Sequence, residues 1–172
     1  MTAGGTARTV RARPTTMQLD LAPDLHADGP PGLRIERVGR DRFGEVRALN
    51  EAVFGEARVI HRLDRTDLLL LLAHVGDRAV GFKVGYAESA TTFYSAKGGV
   101  LDEWRRAGVA RALLDRMEDE ARRMGYGRLA YDTFPNKHPG MTALGLAAGY
   151  TVAAAGYNAA YRDIRLRFER DL

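Results

Sequence analysis

The feature that most constrains the fold is the stretch from Asp102 to Leu129, in which a polar turn leads into a long amphipathic helix. Between about Gly108 and Met124, apolar residues recur every three or four positions and so lie on one stripe of a helix. Gly125 and Gly127 follow as a stop signal. Because strand-like segments flank this helix on both sides, we expect it to be the crossover between two parallel strands.

The remaining segments extend this unit into a mixed sheet. Strand patterns occur at residues 33–38, 68–75, 78–88, 91–103, 128–134, 150–158 and 159–172, and helical patterns at 41–55, within 56–67, at 108–124 and at 141–149. Asp41 is expected to cap the first helix. The pair Gly98-Gly99 indicates a β-bulge or a backbone kept bare for a ligand. The order predicts an α/β (α+β) fold with a mostly antiparallel sheet of about six to seven strands.

Residues 1–32 differ in composition from the rest, since they are rich in small and basic residues, Pro and Gly, without helix or strand periodicity. We expect a flexible N-terminal extension over 1–32 and a folded domain over 33–172. The start of the chain lacks the apolar core of a secretory signal, and the longest apolar run, 68–73, is too short to span a bilayer. The prediction is a cytoplasmic protein without a membrane partner.

Composition narrows the function classes further. The 172 residues include no cysteine, which excludes disulfides, thiolate metal sites and covalent cysteine catalysis. His61 and His74 have no further ligand at a useful spacing, so no metal site is expected. The formal net charge is +4, and acids interrupt the arginines of residues 161–170, which is more typical of a solvated strand face than of a nucleic-acid interface. A mildly positive chain suits an anionic small ligand.

The segment RRAGVA, at the start of the central helix, is where such a ligand would bind. Helix N-termini expose unpaired backbone N–H groups and the positive end of the helix dipole, which together bind phosphate. Gly108 allows close approach, and Ala107 and Ala110 keep the side chains small. Arg105 and Arg106 add positive charge. The residues indicate either a pyrophosphate cradle or an ordinary strand-to-helix turn that needs glycine for its geometry.

The stretch GGVLDEWRRAGVARALLDRM resembles the acetyl-coenzyme A binding motif of the GNAT superfamily of N-acetyltransferases. The family pattern Arg/Gln-x-x-Gly-x-Gly/Ala, with an apolar residue five positions before its arginine, is matched by Arg105, Gly108, Ala110 and Val100. Asp102 and Arg106 stand where the family often has proline and glycine. A later segment, NKHPGMTALGLAAGY, resembles the family's Asn…Gly-aromatic segment, and the order of elements agrees from residue 33 to the C-terminus.

The resemblance implies a sheet splayed between its fourth and fifth strands, with helices on both faces and acetyl-coenzyme A (acetyl-CoA) as cosubstrate in the gap. The implied cofactor-binding residues are Val100, Leu101, Arg105, Arg106, Ala107, Gly108, Val109, Ala110, Arg111 and Asn136. Backbone N–H groups of the motif would bind the pyrophosphate. Val100 and Leu101 would pair with the pantetheine arm, and Asn136 would hydrogen-bond the cofactor.

The resemblance also implies an acyltransferase that moves the acetyl group to a primary amine of a small molecule, amino acid or peptide by direct attack in a ternary complex. The Leu101 N–H would polarise the thioester oxygen. A base must take a proton from the amine, which is mostly protonated at neutral pH. Glu88 at a strand end and Glu103 beside the motif are the candidates for this base.

The general acid is the least defined part of the implied machinery. Many family members place a tyrosine where this chain has Gly145, and the candidate substitutes are Tyr131, His138 and Tyr150. The missing tyrosine leaves a second class of function open, a coenzyme A-binding sensor or assembly module of the same fold without acetyl transfer. A third class, a nucleic-acid binder that uses the arginine-rich last strand, predicts binding that weakens steeply with salt.

Contacts with other molecules are expected at two places. Tyr94 and Ser95 alternate faces on the bulged strand, so one of them should face the amine acceptor. The last strands are compatible with a homodimer, formed by edge pairing or strand exchange.

Overall fold

The computed structural model describes residues 29–172, which form a seven-stranded sheet with helices on both faces. The strands are β1 (Leu33–Val38), β2 (Leu69–Val75), β3 (Arg78–Ala87), β4 (Thr92–Val100), β5 (Arg128–Thr133), β6 (Thr151–Asn158) and β7 (Asp163–Asp171). The helices are α1 (Phe43–Phe54), α2 (Val109–Arg123) and α3 (Pro139–Ala147), with 3-10 turns at Arg40–Arg42 and Asp102–Trp104. Of the predicted extension 1–32, residues 1–28 lie outside the described residues.

The sheet has the strand order β1-β2-β3-β4-β5-β7-β6. Every neighbouring pair is antiparallel except β4 and β5, which are parallel and joined by α2. This confirms the predicted fold class and the crossover role of the amphipathic helix. At the far edge, β6 is exposed from Thr151 to Tyr157.

Two hydrophobic cores lie on opposite faces of the sheet. Successive residues of a strand point to opposite sides, so Leu70 of β2 joins the core under α1 while Leu71 joins the core under α2 and α3. Phe82 and Phe93 divide between the same two cores. Because both faces are covered, the central strands are apolar runs rather than alternating ones, which explains the sequence LLLLLA.

The parallel pair β4–β5 separates soon after it begins. Pairing is limited to Thr92, Phe93 and Tyr94 of β4, after which the strands diverge. β4 stays paired with β3 up to Val100, and β5 stays paired with β7 up to Thr133. The resulting gap, between residues 95–100 of β4 and 131–133 of β5, is called the slot below.

The predicted short helix within residues 56–67 is wrong, because this segment is an irregular loop. Gly55 ends α1 in the left-handed region, at φ 69°. The loop is then held by its contacts with the core: Val59 is buried, and the Asn50 side chain donates to the backbone carbonyls of Glu56 and Arg58. Tertiary hydrogen bonds thus replace the helical ones.

Two local expectations also need correction. Asp41 does not cap α1, since it lies inside the preceding 3-10 turn and no side chain caps the helix. The bulge of β4 is at Ala96, where the register with β3 shifts, and not at Gly98-Gly99. A Cβ at Gly99 would lie 2.8 Å from Val53 Cγ1, so this glycine gives room for α1 to pack on the sheet.

Candidate functional site

The edge of β4 that lines the slot is a row of backbone groups without a strand partner. The Leu101 N–H donates to the Val80 carbonyl on β3 at 2.9 Å, so it points away from the slot. Alternate residues of an antiparallel strand turn their N–H and C=O groups to opposite edges. Val100 and Gly98 therefore turn theirs toward β5. The geometry supports Val100 as a pairing residue and argues against Leu101 as a polarising donor.

The start of α2 stands at the open end of this edge. Gly108 has φ 83° and no side chain caps the helix. The first helical bond runs from the Ala112 N–H to the Gly108 carbonyl, so the N–H groups of Val109, Ala110 and Arg111 have no acceptor within the helix. The first turn also contains no acid. This arrangement attracts an anion.

The arginines around this turn differ in availability. Arg105 binds Asp102 at 2.7 Å, and its Nε lies 3.4 Å from the Val100 carbonyl at the mouth of the slot. Arg111 is directed along the helix to Asp115 at 2.8 Å. Arg106 is exposed and has φ 59°, a conformation that favours glycine. The turn thus keeps positive charge at its surface and carries local backbone strain.

Three buried polar atoms near the slot have no hydrogen-bond partner within residues 29–172. They are Trp104 Nε1 in the turn before α2, Thr133 Oγ1 at the end of β5 and Thr142 Oγ1 in α3. A buried polar atom without a partner is uncommon and calls for an explanation. These atoms come from the elements that border the slot, and they fit a ligand with amide and hydroxyl groups.

On the opposite face of the slot, Tyr94, Asp132 and Arg167 form what we call the α1-side cluster. Tyr94 stacks near Tyr86, with ring centroids 5.6 Å apart, and the Arg167 guanidinium lies 5.7 Å from the Tyr94 ring. Asp132 Oδ1 is buried and accepts no hydrogen bond of normal length in the described chain: Arg167 Nη1 lies 3.8 Å from Oδ1, and Arg165 Nη1 lies 3.7 Å from Oδ2. Burial and the Asp132 charge raise the pKa of Tyr94. The cluster thus places a carboxylate at the slot between two arginines and a tyrosine.

Comparison with known proteins identifies the family. The model of the acetyltransferase (GNAT) family matches residues 41–145, which include β4, the start of α2 and β5. The chain belongs to the GNAT family. No curated protein matches it in sequence.

Solved structures share the fold of this GNAT protein at low identity. The ribosomal-protein-S18-alanine N-acetyltransferase from Escherichia coli is 13% identical with TM-score 0.67, and the match covers 81% of this chain and 93% of that one. A GNAT family acetyltransferase from Elizabethkingia anophelis with acetyl-CoA bound is 16% identical with TM-score 0.68, covering 83% and 100%. An IAA acetyltransferase from Bacillus cereus is 17% identical with TM-score 0.68, covering 81% and 99%.

The predicted bases of this acetyltransferase are both engaged by arginines. Glu88 binds the guanidinium of Arg167, with Nη1 to Oε1 at 2.9 Å. Glu103 binds Arg78 at 2.5 Å on the exposed surface. A hydrogen bond from its own backbone and the Arg78 side chain hold the pKa of the Glu103 carboxyl below its usual range. The geometry therefore favours Asp132 over either glutamate as the group that accepts a proton.

The candidate acids occupy different environments. Tyr131 is 2% exposed and donates to the Met141 carbonyl at 3.2 Å, and burial raises the pKa of its hydroxyl. A Cβ at Gly145 would collide with this hydroxyl, so Tyr131 fills the space beside the glycine. The Tyr150 hydroxyl donates to Glu118 at 2.8 Å. His138 is exposed, and desolvation and the nearby Lys137 lower its pKa.

The other predicted contact residues are placed as follows. Tyr94 faces the α1 side, whereas Ser95 is buried on the α2 side opposite Gly85. The Asn136 amide donates to Asp163 Oδ1 at 2.6 Å and so ties the loop after β5 to β7. Among residues 29–172, no helix is both long and apolar enough to cross a membrane.

Sequence analysis did not single out two ionisable residues on the strands around the slot. Asp132 is the one acid in the strand segment RLAYDTF, and Lys83 is the one charged residue inside AVGFKVGYA. A single charge inside an otherwise apolar strand was the available signal, because ionisable groups are seldom buried without a function or a partner.

Proposed function

We propose that this GNAT acetyltransferase moves the acetyl group of acetyl-CoA to a primary amine of a small molecule, an amino acid or a peptide, by direct attack in a ternary complex. The observation that carries the proposal is the uncapped, acid-free start of α2 beside the open edge of β4. One element binds a diphosphate and the other pairs with an extended, amide-bearing arm.

The residues around the slot fit coenzyme A. The N–H groups of Val109, Ala110 and Arg111 would hold the pyrophosphate, with Arg105 and Arg106 beside it. The open edge of β4 at residues 98–100 would pair with the pantetheine amides. The unpartnered Trp104 and Thr133 atoms lie at the borders of this path. Bound there, acetyl-CoA supplies a thioester-activated acetyl group.

The α1-side cluster supplies the acceptor side of the reaction. Asp132 would take the proton that the amine must lose, because its carboxylate lies at the slot and both neighbouring arginines are beyond hydrogen-bond distance. Tyr94 would form a wall of the acceptor site. Arg167 is anchored by Glu88 and Glu169 and lies 3.8 Å from Asp132.

The donor that polarises the thioester oxygen is assigned to β4 by the direction of its backbone groups. Leu101 donates to β3, whereas Gly98 turns its N–H toward the slot two residues after the bulge at Ala96. We therefore assign this role to the Gly98 N–H. A fixed backbone donor at developing negative charge lowers the barrier without reorganisation.

The competing functions have less support from the geometry. Arg165, Arg167 and Arg170 of β7 each have a carboxylate partner, at 3.7, 2.8 and 3.2 Å, so this strand offers no free basic stripe for nucleic acid. The sensor alternative uses the same cofactor slot but gives no catalytic role to Asp132. A homodimer through the exposed edge of β6 stays a prediction.

The test combines binding and turnover. Calorimetry should show acetyl-CoA binding by the full chain, and a panel of small amines, amino acids and peptides should release coenzyme A thiol only when protein and amine are both present. Tight binding without thiol release on any amine would favour the sensor. Absence of acetyl-CoA binding would contradict both the acetyltransferase and the sensor. Binding of DNA that weakens steeply with salt would favour a nucleic-acid binder.

A further inference from the structure

Lys83, in the middle of β3, has no electrostatic partner. It is the buried member of the lysines and arginines among the described residues, with 5% of its surface exposed. No hydrogen bond or ion pair within residues 29–172 involves its ammonium group. Burial lowers its pKa to about 8. An unpaired buried charge destabilises a fold, so its presence points to another use.

The stem of Lys83 packs against Gly98 of β4, the strand that borders the slot. Lys83 lies opposite Gly98 of β4 and on the face covered by α2. Its stem leans over the glycine, since a Cβ at Gly98 would lie 3.2 Å from Lys83 Cγ. Neighbouring strands are about 4.8 Å apart, and a four-carbon lysine stem spans about 6 Å. The side chain is thus long enough to bring its amine across β4 to the edge that lines the slot.

The charged groups on this face of the sheet are satisfied by partners other than Lys83. Glu120 of α2 binds Arg37 of β1 at 2.9 Å, and Glu118 of α2 binds Arg170 of β7 at 3.2 Å. The neighbouring strands present no acid or base beside Lys83; their residues on this face are Leu69, Leu71 and Ala73 of β2 and Ser95, Gly98 and Val100 of β4. Its amine is therefore available to a group bound in the slot.

We propose that Lys83 is the catalytic acid that protonates the departing sulfur of coenzyme A, in place of the tyrosine that the chain lacks at Gly145. This rests on the proposed function. As the C–N bond to the acceptor forms and the C–S bond breaks, the C–S electron pair passes to sulfur. Lys83 gives the sulfur one proton, and Asp132 receives the proton that the amine loses. Solvent carries a proton from Asp132 back to Lys83, which leaves an amide and a thiol.

The acidity of Lys83 suits this step. Its pKa of about 8 lies close to that of a thiol, about 8.5, whereas an exposed lysine near 10.4 is a weaker acid than the thiol. Proton transfer is most effective when the catalytic pKa lies near the working pH. Because Gly98 has no side chain, the Lys83 stem can pass over β4 toward the slot. The apolar residues of α2 cover this face and desolvate the Lys83 amine.

The first test needs no turnover. Coenzyme A is bound to the wild-type protein and to Lys83→Met, and the ultraviolet absorbance of its thiolate is followed against pH, with desulfo-coenzyme A as the baseline. We expect the bound thiol to have a pKa at least about one unit lower in the wild type, because an ammonium group stabilises a nearby thiolate. Equal thiol pKa values in the two proteins would overturn the proposal.

The second test measures kcat and KM with an amine that the wild type acetylates. Lys83→Met is expected to lower kcat about 100-fold, with a KM for acetyl-CoA within threefold of wild type. Lys83→Arg should be equally slow, since guanidinium is too weak an acid. The wild-type kcat should decline above pH 8, a decline absent from Lys83→Met. Arg78→Met, on the exposed start of the same strand, is the control and should keep its kcat.

The two tests separate the failure of this inference from the failure of the proposed function. A wild type that releases no thiol with any amine contradicts the proposed function, while the thiol titration still decides on Lys83. A wild type and a Lys83→Met variant of equal kcat contradict the inference alone. Mass spectrometry that finds Lys83 itself acetylated would make it an acceptor and also overturn the inference.

Discussion

The two ends of the slot are built in different ways. At the start of α2, the proposed ligand groups are backbone N–H groups of consecutive residues, positioned after one positive-φ glycine, Gly108. At the other end, Tyr94, Asp132 and Lys83 are side chains from three strands, largely withdrawn from solvent. The first end is suited to binding the pyrophosphate, a part of the cosubstrate that does not change in the reaction. The second is suited to moving protons, because burial changes the acidity of its groups.

This difference predicts a division of effects. Changes at the start of α2 should alter affinity for acetyl-CoA and leave the chemical step alone. Changes at the buried end should alter the rate or its pH dependence and leave affinity alone, since a group that acts only in the transition state affects kcat. The predictions below test this division, and they are ordered from the largest to the smallest expected change in free energy, whether of activation, unfolding or binding.

Asp132→Asn should produce the largest effect, a fall in kcat of about 1,000-fold with little change in KM for acetyl-CoA. The amide keeps the shape of the carboxylate but cannot accept the amine proton. Steady-state kinetics by thiol release measures the effect. Asp77→Asn, in the exposed turn between β2 and β3, is the matched control and should keep its kcat. An Asp132→Asn variant with more than half of the wild-type kcat would show that another group is the base.

Lys83→Met should change the pH dependence of stability. The Lys83 pKa falls from 10.5 to about 8 on folding, so between these pH values the unfolded chain holds a proton that the folded chain lacks. The wild-type free energy of unfolding should therefore rise relative to that of Lys83→Met between pH 8 and 10.5, by about 3 kcal/mol in total. Urea unfolding at several pH values measures this. A constant difference would mean that the amine is solvated.

Gly108→Ala should weaken acetyl-CoA binding about tenfold, or about 1.4 kcal/mol, because the added Cβ stands where a ligand approaches the N–H groups. The control is Gly125→Ala at the other end of α2, where the glycine also has positive φ, at 90°. Both variants should lose about 1 kcal/mol of stability for the left-handed backbone. Calorimetry measures the acetyl-CoA affinity of both variants, and equal affinity would show that the pyrophosphate does not bind at the start of α2.

Arg106→Gly should give the smallest change and combine two opposite effects. Relief of a positive φ should stabilise the fold by about 1 kcal/mol, or roughly 2–4 °C in Tm. Arg162→Gly, in the turn between β6 and β7, relieves a similar φ of 52° and should stabilise equally. Only Arg106→Gly should weaken acetyl-CoA binding, by a few-fold that shrinks at high salt. Identical binding in both variants would show that Arg106 does not meet the ligand.

Much of the fold was accessible from local patterns. The period of the apolar residues predicted α2 closely, and the glycine after Met124 set its end. The helix predicted within residues 56–67 was wrong because the hydrogen bonds to this segment come from side chains outside it, Asn50 of α1 and the more distant Lys97 of β4. The predicted position of the bulge was also wrong. Gly98 and Gly99 lack side chains because Lys83 and α1 pack against them, and not because β4 has an extra residue there.

The sequence alone determined where the proposed anion site lies, at the start of α2, because a helix N-terminus is made of consecutive residues and its amides need no partner from elsewhere. Only the tertiary structure decided which side chains face the slot. Strand register places Asp132 and Lys83 on opposite faces of the slot and turns the Leu101 N–H toward β3. The packing of distant segments also pairs Glu88 and Glu103 with arginines. Burial and pairing depend on residues far apart in the chain, so no local pattern encodes them.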